Sequence, residues 1–468
     1  MQAVVFIPGI MGTELLSGDG ETLWPPTATE TQFGYGRMNE LLGNDVRPGQ
    51  IIKSVMCYDI YKPLLDQFSA LGFQQNGTVK RFYPFPYDWR KDLEDTAKLL
   101  AAQFDQVDKD GADEIYLVAH SMGGLVSRLM LETGSYANRP WFLKIQTFIA
   151  LATPHQGAPL ALARALGLDS TLGISTDDFR KLMGDPRYPA GYQLLPSPNE
   201  AACWSQNYVD NRALDIYDTA IANSLGLNTQ LIARARFVHD SLAQGKAPKH
   251  IRYFYFAGTG HETVTRVNVY EYNGTFPRED MVVTRTEAAG DGTVPLWSAL
   301  PRAVQKQVVI NEHAKVFRGE AFKRVFYRLL GGDIGVPFQA RQDDFTNQPN
   351  LLRLSMSTPI ICVWQSNEQS NEQYFELLLI PTYPTDAING TLLLQGLRED
   401  GQPISNEVIS NMSYTGPKVS HLRLLMPALA SPGLYQLVFE GVPEQEEPLK
   451  FAVVSLPQHH GRLHDHGD

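Results

Sequence analysis

The sequence predicts an α/β chain in which a mostly parallel sheet carries helices on both faces and a smaller all-β domain follows. Three observations predict it. Short β-branched apolar runs alternate with segments of helical period between residues 3 and 151. A long, loop-rich and Pro-rich stretch then interrupts that alternation before strands resume. After Gly332 the helical periods give way to strand-like runs punctuated by Gly, Pro, Asn and Asp. Strands alternating with helices build βαβ units and hence a parallel sheet, whereas regularly spaced short strands with turn signals build a sandwich.

The first strand is the uninterrupted run from Ala3 to Ile7, which suits burial on both faces and ends at the turn-former cluster Pro8-Gly9-Ile10-Met11-Gly12. Residues Tyr58 to Leu71 space Ile60, Leu64, Leu65, Phe68 and Leu71 on one helical face, with Gly72 as the stop. Lys80 to Phe85 reads as a strand and Asp92 to Val107 as a helix. Glu114 to His120 is a strand that runs straight into a helix from Ser121 to Met130, and Ile145 to Leu151 is the next strand. Ala158 to Lys249 reads as a cap or lid insertion over the carboxyl edge of the sheet. The sheet resumes at Ile251 to Gly258 and at Val304 to Ile310, and a last helix is predicted over Ala314 to Leu330. The expected domains are a catalytic domain over 1–335 (insertion about 158–250), a β-sandwich of immunoglobulin-like kind over 345–456, and a flexible polar tail over 457–468.

Composition bounds the function. A chain of 468 residues exceeds the roughly 250–300 at which one core stops growing, so two domains are expected. Hydrophobic residues make up 43% and charged residues 19%, an ordinary globular balance. The formal net charge of -11 argues against nucleic acid as a partner, because phosphate binding needs a basic face. The three cysteines, Cys57, Cys203 and Cys362, are far apart and read as free thiols rather than a metal or disulfide framework. No cofactor and no metal are expected. The start lacks a signal-peptide pattern and no apolar run reaches membrane-spanning length, so a cytoplasmic location is expected, with signal-independent export as the alternative.

The strongest motif is Ala119-His120-Ser121-Met122-Gly123-Gly124, lying between a strand and a helix. A serine on that tight turn projects its hydroxyl above the sheet, and the small residues Ala119 and Gly123 let strand and helix pass closely. The helix N-terminus after it offers free N–H groups to developing negative charge, which makes the Met122 amide the first oxyanion donor. A serine nucleophile needs a base, and the base needs an acid to orient it, in the chain order nucleophile, acid, histidine. That order, with His421 in the β-domain and His459 to His466 in the tail, leaves His313, which follows a strand and opens the last helix. The acid is Asp291 in Gly290-Asp-Gly-Thr-Val-Pro295, with Asp280 as the alternative, which precedes a strand-like run instead of following one. The second oxyanion donor is the Ile10 amide, with Met11 the alternative. The fold these residues imply is the α/β-hydrolase fold.

Pro86-Tyr87-Asp88-Trp89-Arg90 joins these motifs, and together they resemble the lecithin:cholesterol acyltransferase-like branch of the α/β-hydrolases over about Met1 to Leu330. Ile7 to Gly12 is similar to that family's opening strand and oxyanion loop, Gly290 to Pro295 to its acid loop, and His313 to its base. The resemblance implies an acyl enzyme on lipid esters, a mobile lid within Ala158 to Lys249 and no metal. It also implies a lipid-handling position near Trp24. Met11, Trp24 and His155 are the expected substrate or lid residues, His155 more as support than as a catalyst. Asp88 and Arg90 are expected to pair and brace their loop, with Trp89 in the core.

The expected activity is therefore cleavage of lipid carboxylic esters through an acyl enzyme on Ser121. The alternatives are acyl transfer from a phospholipid to an alcohol, and a catalytically silent lipid- or partner-binding protein. The expected partners are a lipid or other ester substrate, transient contact with a lipid surface, and a protein partner for the β-domain.

Overall fold

The computed structural model describes residues 1–55, 58–206, 211–300, 305–332, 350–356, 360–364, 374–398, 401–427, 429 and 431–456. Cys57, the side chain of Cys362 and the tail 457–468 lie outside the described residues. The chain divides into two compact units, Met1–Lys53 with Ile60–Val336, and Ser54–Asp59 with Pro337–Asp468.

The first unit is built on β1 (Gln2–Ile7), α1 (Lys62–Ala70), β2 (Lys80–Pro84), α2 (Leu93–Lys109), β3 (Glu114–His120), α3 (Met122–Glu132) and β4 (Ile145–Leu151). There follow α4 (Pro159–Ala165), α5 (Thr176–Gly184), α6 (Thr229–Gln244), β5 (Arg252–Gly258), β6 (Gln305–Val309) and α7 (Glu320–Leu329). The sheet order is β6-β5-β4-β3-β1-β2, and every pairing is parallel. From β1 the chain moves to one side for β2 and then to the other for β3. The resulting switch point opens a crevice outside the carboxyl ends of β1 and β3, where ligands bind in such sheets.

Each face of the sheet is sealed by helices. Val4, Phe6, Val118, Leu151 and Phe256 point to one side and pack with Leu64, Phe68, Phe322 and Phe326 of α1 and α7. Residues of the opposite parity, Val5, Ile7, Leu117 and Phe148, are equally buried, because side chains alternate along a strand. Each large side chain so buried contributes about 1.5–3 kcal/mol. The core strands therefore read as unbroken apolar runs.

Element boundaries differ from expectation in three places. The helix expected from Tyr58 begins at Lys62, and Pro63 stands in its first turn, where a missing N–H costs nothing. The last helix is broken. His313–Lys315 form a single 3₁₀ turn, Gly319 takes φ +87°, and α7 starts at Glu320. The insertion is not only helices and loops. Cys203–Gln206 and Asn211–Ala213 join His261–Val269 and Val282–Gly290 in a four-stranded sheet. Cys203 is buried there, which pushes its thiol up to about 12.

Among the described residues, the second unit contains two β-sheets of four and five strands, besides the short pair Ser54–Val55 and Tyr58–Asp59. One runs Leu422–Pro427, Tyr374–Pro381, Leu351–Met356, Glu444–Gln445; the other runs Ile360–Trp364, Leu449–Leu456, Gly433–Val442, Thr385–Leu397, Glu407–Val419. Leu352, Leu377 and Leu379 of the first share a core with Leu392, Leu437, Phe439 and Phe451 of the second.

Candidate active site

Ser121 stands between β3 and α3 with φ 52° and ψ -126°. A side chain in that region costs about 1–3 kcal/mol and persists only where its surroundings hold it. Here the Ser121 N–H donates to the Leu151 carbonyl at 2.8 Å, and the Gly124 N–H donates to the Ser121 carbonyl at 2.9 Å. The two glycines of the motif are explained by close approach. A Cβ on Gly123 would stand 2.5 Å from the Pro8 carbonyl oxygen, and one on Gly124 would stand 1.9 Å from Thr153 Oγ1. The start of α3 is thereby pressed onto the ends of β1 and β4.

Asp291 follows the strand Val282–Gly290 and is 2% exposed. Its Oδ1 accepts from the amides of Thr293 (3.0 Å) and Val294 (2.7 Å). That fixes the carboxylate and leaves Oδ2 to accept from His313 Nδ1 at 2.8 Å. The His313 N–H also donates to the Asp291 carbonyl at 2.9 Å. With the proton on Nδ1, His313 Nε2 accepts from the Ser121 hydroxyl at 2.8 Å. Three residues far apart in sequence thus form one hydrogen-bonded run. Gly258, at the end of β5, makes room for it, since a Cβ there would lie 2.6 Å from that of Asp291. Asp280 ends a 3₁₀ turn before the strand rather than after it and takes no part in that run.

The Pro8–Gly12 loop is pinned from behind by aromatic side chains. Tyr61 Oη accepts from the Gly9 N–H at 2.8 Å, and Tyr87 Oη donates to the Pro8 carbonyl at 2.9 Å. Trp24 Nε1 donates to the Met11 carbonyl at 2.8 Å, and Trp89 Nε1 to the Thr13 carbonyl at 3.1 Å. Met11 itself takes φ 62°. Met122 is the first residue of α3, where an N–H has no intrahelical acceptor.

A pocket brings Ser121 together with Ile10, Met11, Thr293 and Val294. The predicted cap segment supplies much of the remaining wall, including Leu160, Phe179, Leu182, Met183 and Leu194. Trp24 lines no part of it. The position expected to handle lipid is 1% exposed, packs edge-on to Trp89 at 5.5 Å and bonds to the loop at the Met11 carbonyl. His155 is likewise 3% exposed and away from the pocket wall. It stacks on Tyr255 at 4.2 Å, with Nδ1 3.5 Å from Arg128 Nη1. Burial holds its imidazole well below the usual range. Asp88 and Arg90 pair at 2.6 Å as expected, and Trp89 is 1% exposed.

One pair of residues was not singled out from the sequence. His120 accepts at Nδ1 from the Tyr61 hydroxyl at 2.8 Å and donates from Nε2 to the His313 carbonyl at 3.0 Å. Burial, and then the neighbouring His313, keep it neutral, well below the ordinary imidazole value. Tyr61 and His120 therefore link the Gly9 amide to the backbone of His313. The adjacency of His120 to Ser121 was the only signal available, and the tyrosine lies 59 residues before it.

Comparison with known proteins bears on this geometry. The model of the lecithin:cholesterol acyltransferase family matches residues 49–206, a span that holds the Ser121 motif and Pro86 to Arg90 but ends before Asp291 and His313. No curated protein matches the chain. Among solved structures, the Tle4–Tli4 complex aligns with a TM-score of 0.52 at 14% identity, covering 70% of this chain and 98% of the other. The mature lipase BlEst2 of Bacillus licheniformis aligns with a TM-score of 0.34 at 15% identity, covering 70% of this chain and 91% of the other. The chain has the α/β-hydrolase fold with C-terminal β-sheets added, and over residues 49–206 it is similar to the lecithin:cholesterol acyltransferase family.

Proposed function

We propose that the protein is a serine-dependent acyl hydrolase that cleaves esters of apolar acyl chains, of the lipase or phospholipase type. The observation that carries this reading is the run from Ser121 Oγ through His313 to Asp291, opening on a largely apolar pocket. Ser121 Oγ bonds to the ester carbonyl carbon while its proton passes to His313 Nε2. Asp291 holds the imidazole in the tautomer that accepts this proton and stabilises the cation that forms. The Ile10 and Met122 amides donate to the oxyanion, and the pinned loop means that they need not reorganise as charge develops. When the tetrahedral intermediate collapses, the C–O bond to the leaving alcohol breaks and that oxygen takes the proton from His313. Water then bonds to the acyl carbon as its proton passes to His313, and collapse of that intermediate breaks the Ser121 Oγ–C bond, releasing the acid while Oγ takes the proton back.

A second reading replaces that water with an alcohol. It is favoured by the family match over residues 49–206, since the family is named for an acyltransferase. The test uses a fluorophosphonate probe with mass spectrometry, beside hydrolysis of p-nitrophenyl esters of increasing chain length. Labelling is expected at Ser121 and is expected to vanish in Ser121→Ala and His313→Ala. Products with and without added alcohol separate hydrolysis from transfer. A folded protein that neither labels nor turns over in detergent would overturn the reading in favour of a binding protein.

A further inference from the structure

Among the described residues, the wall of the pocket beside Ser121 holds no Asp or Glu, although the chain carries 51 acidic and 40 basic residues. Two arginines line it, and they differ. Arg90 is closed: Asp88 takes its Nε and Nη2, and the Leu41 carbonyl takes Nη1. Arg164 is open. Its Nε donates to Asp169 Oδ2 at 3.0 Å and its guanidinium lies over the Phe179 ring at 4.7 Å. Among the described residues no acceptor takes its Nη1 or Nη2.

Asp169 cannot neutralise Arg164 alone. Its other oxygen, Oδ1, accepts from Arg285 Nη2 at 3.0 Å. One carboxylate thus faces two guanidinium groups, and one positive charge remains. The side chains of Arg164 and Asp169 are 19% and 11% exposed, so water screens that charge only in part. Burial, opposed by Asp169, and the nearby Arg285 bring the guanidinium below its ordinary range. A cation kept in an apolar wall with open, fork-shaped donors is arranged for a planar or tetrahedral oxyanion. A purely structural tether to Asp169 would need only Nε.

We infer that Arg164 is the subsite for an anionic group of the substrate, a phosphate or a carboxylate, held in the same pocket as the ester that Ser121 attacks. The inference rests on the hydrolase reading above. It narrows the substrate from apolar esters in general to amphiphilic esters that carry negative charge near the scissile bond.

The test compares kcat/KM for matched esters in the whole protein: p-nitrophenyl butyrate against mono-p-nitrophenyl succinate, and dioctanoylglycerol against dioctanoyl phosphatidic acid. The wild type is expected to prefer the charged member of at least one pair. The pair that shows it identifies carboxylate or phosphate as the source. Arg164→Met is expected to remove about 10–100-fold from the charged member alone, the worth of a hydrogen bond to an ion, and Arg164→Lys to restore part of it. Competitive inhibition of the wild type by decyl phosphate, against decanol, needs no variant and is expected to favour the phosphate by a similar factor. Neutral esters turned over with no preference for charge, and equal inhibition by decyl phosphate and decanol, would overturn the subsite alone. Wild-type protein inert towards all four esters would overturn the hydrolase reading and the subsite with it.

Discussion

Replacing Tyr61 with phenylalanine removes one oxygen and leaves two buried groups without a partner. Tyr61 is 2% exposed and packs against Phe6 at 5.1 Å and Phe317 at 5.9 Å, so the ring of a phenylalanine fills the same space. The Gly9 N–H loses its acceptor and His120 Nδ1 loses its donor. A buried polar atom left unpaired costs about 1–3 kcal/mol, so with two such atoms the variant is expected to lose about 2–6 kcal/mol of stability. The second consequence is kinetic. His120 donates to the His313 carbonyl at 3.0 Å, and the Gly9 amide precedes the proposed oxyanion donor Ile10. Loosening both ends misplaces the base and the donor together, and small misplacements cost about 10²-fold in rate. The loss is expected in kcat, with KM nearly unchanged, because Tyr61 does not line the pocket. Urea melts read the first effect and p-nitrophenyl butyrate kinetics the second. A Tyr61→Phe protein with wild-type stability and wild-type kcat would refute the linkage. A fall in stability alone would refute its catalytic part.

Other predictions follow from the same geometry. Ser121→Ala should lose about 10³-fold or more in ester turnover while melting like the wild type or higher, since alanine keeps the backbone and drops the reactive oxygen; unchanged turnover would remove Ser121 from the chemistry. Gly124→Ala should destabilise by at least about 2 kcal/mol through overpacking against Thr153, and soluble protein with an unchanged melt would show that α3 can move. Burial holds His120 and His155 well below the ordinary imidazole value and His239 at about 4. Unfolded, each takes a proton near pH 6.5, so below that pH the unfolded chain binds more protons and stability falls as pH drops. The slope is about 1.4 kcal/mol per pH unit for each histidine, and about 3 kcal/mol in all for His239 by pH 4. Urea melts from pH 7.5 to 5 should show the slope, and His239→Gln should reduce it below pH 6; a flat profile would contradict the burial of these rings.

Much of the site was legible in the sequence because its parts are local signals. Ser121 sits where an apolar run meets a helical period, Asp291 is flanked by glycines, and of the histidines after it only His313 follows a strand of the parallel sheet and opens a helix. The helix break at Gly319 was missed because Ala314 to Leu330 keeps apolar residues at helical spacing through the interruption, and periodicity does not see one residue of positive φ. The strands Cys203–Gln206 and Glu407–Val419 were missed for another reason. The first is short and lies in a loop-rich insertion, and the second is mostly exposed, so neither shows the apolar contrast that marks a strand.

By itself the sequence determined the parallel sheet, the turn that carries Ser121 and the segments that carry Asp291 and His313, because burial on two faces and strained turns restrict residue type within a few positions. Only the tertiary structure decided that Trp24 and His155 are buried in packing and do not line the pocket. It alone brought Tyr61 and His120 between the oxyanion loop and His313, and left Arg164 sharing its one carboxylate with Arg285. These outcomes depend on distances between residues from 5 to 193 positions apart, and most of those contacts are set by packing across the sheet rather than by local pattern.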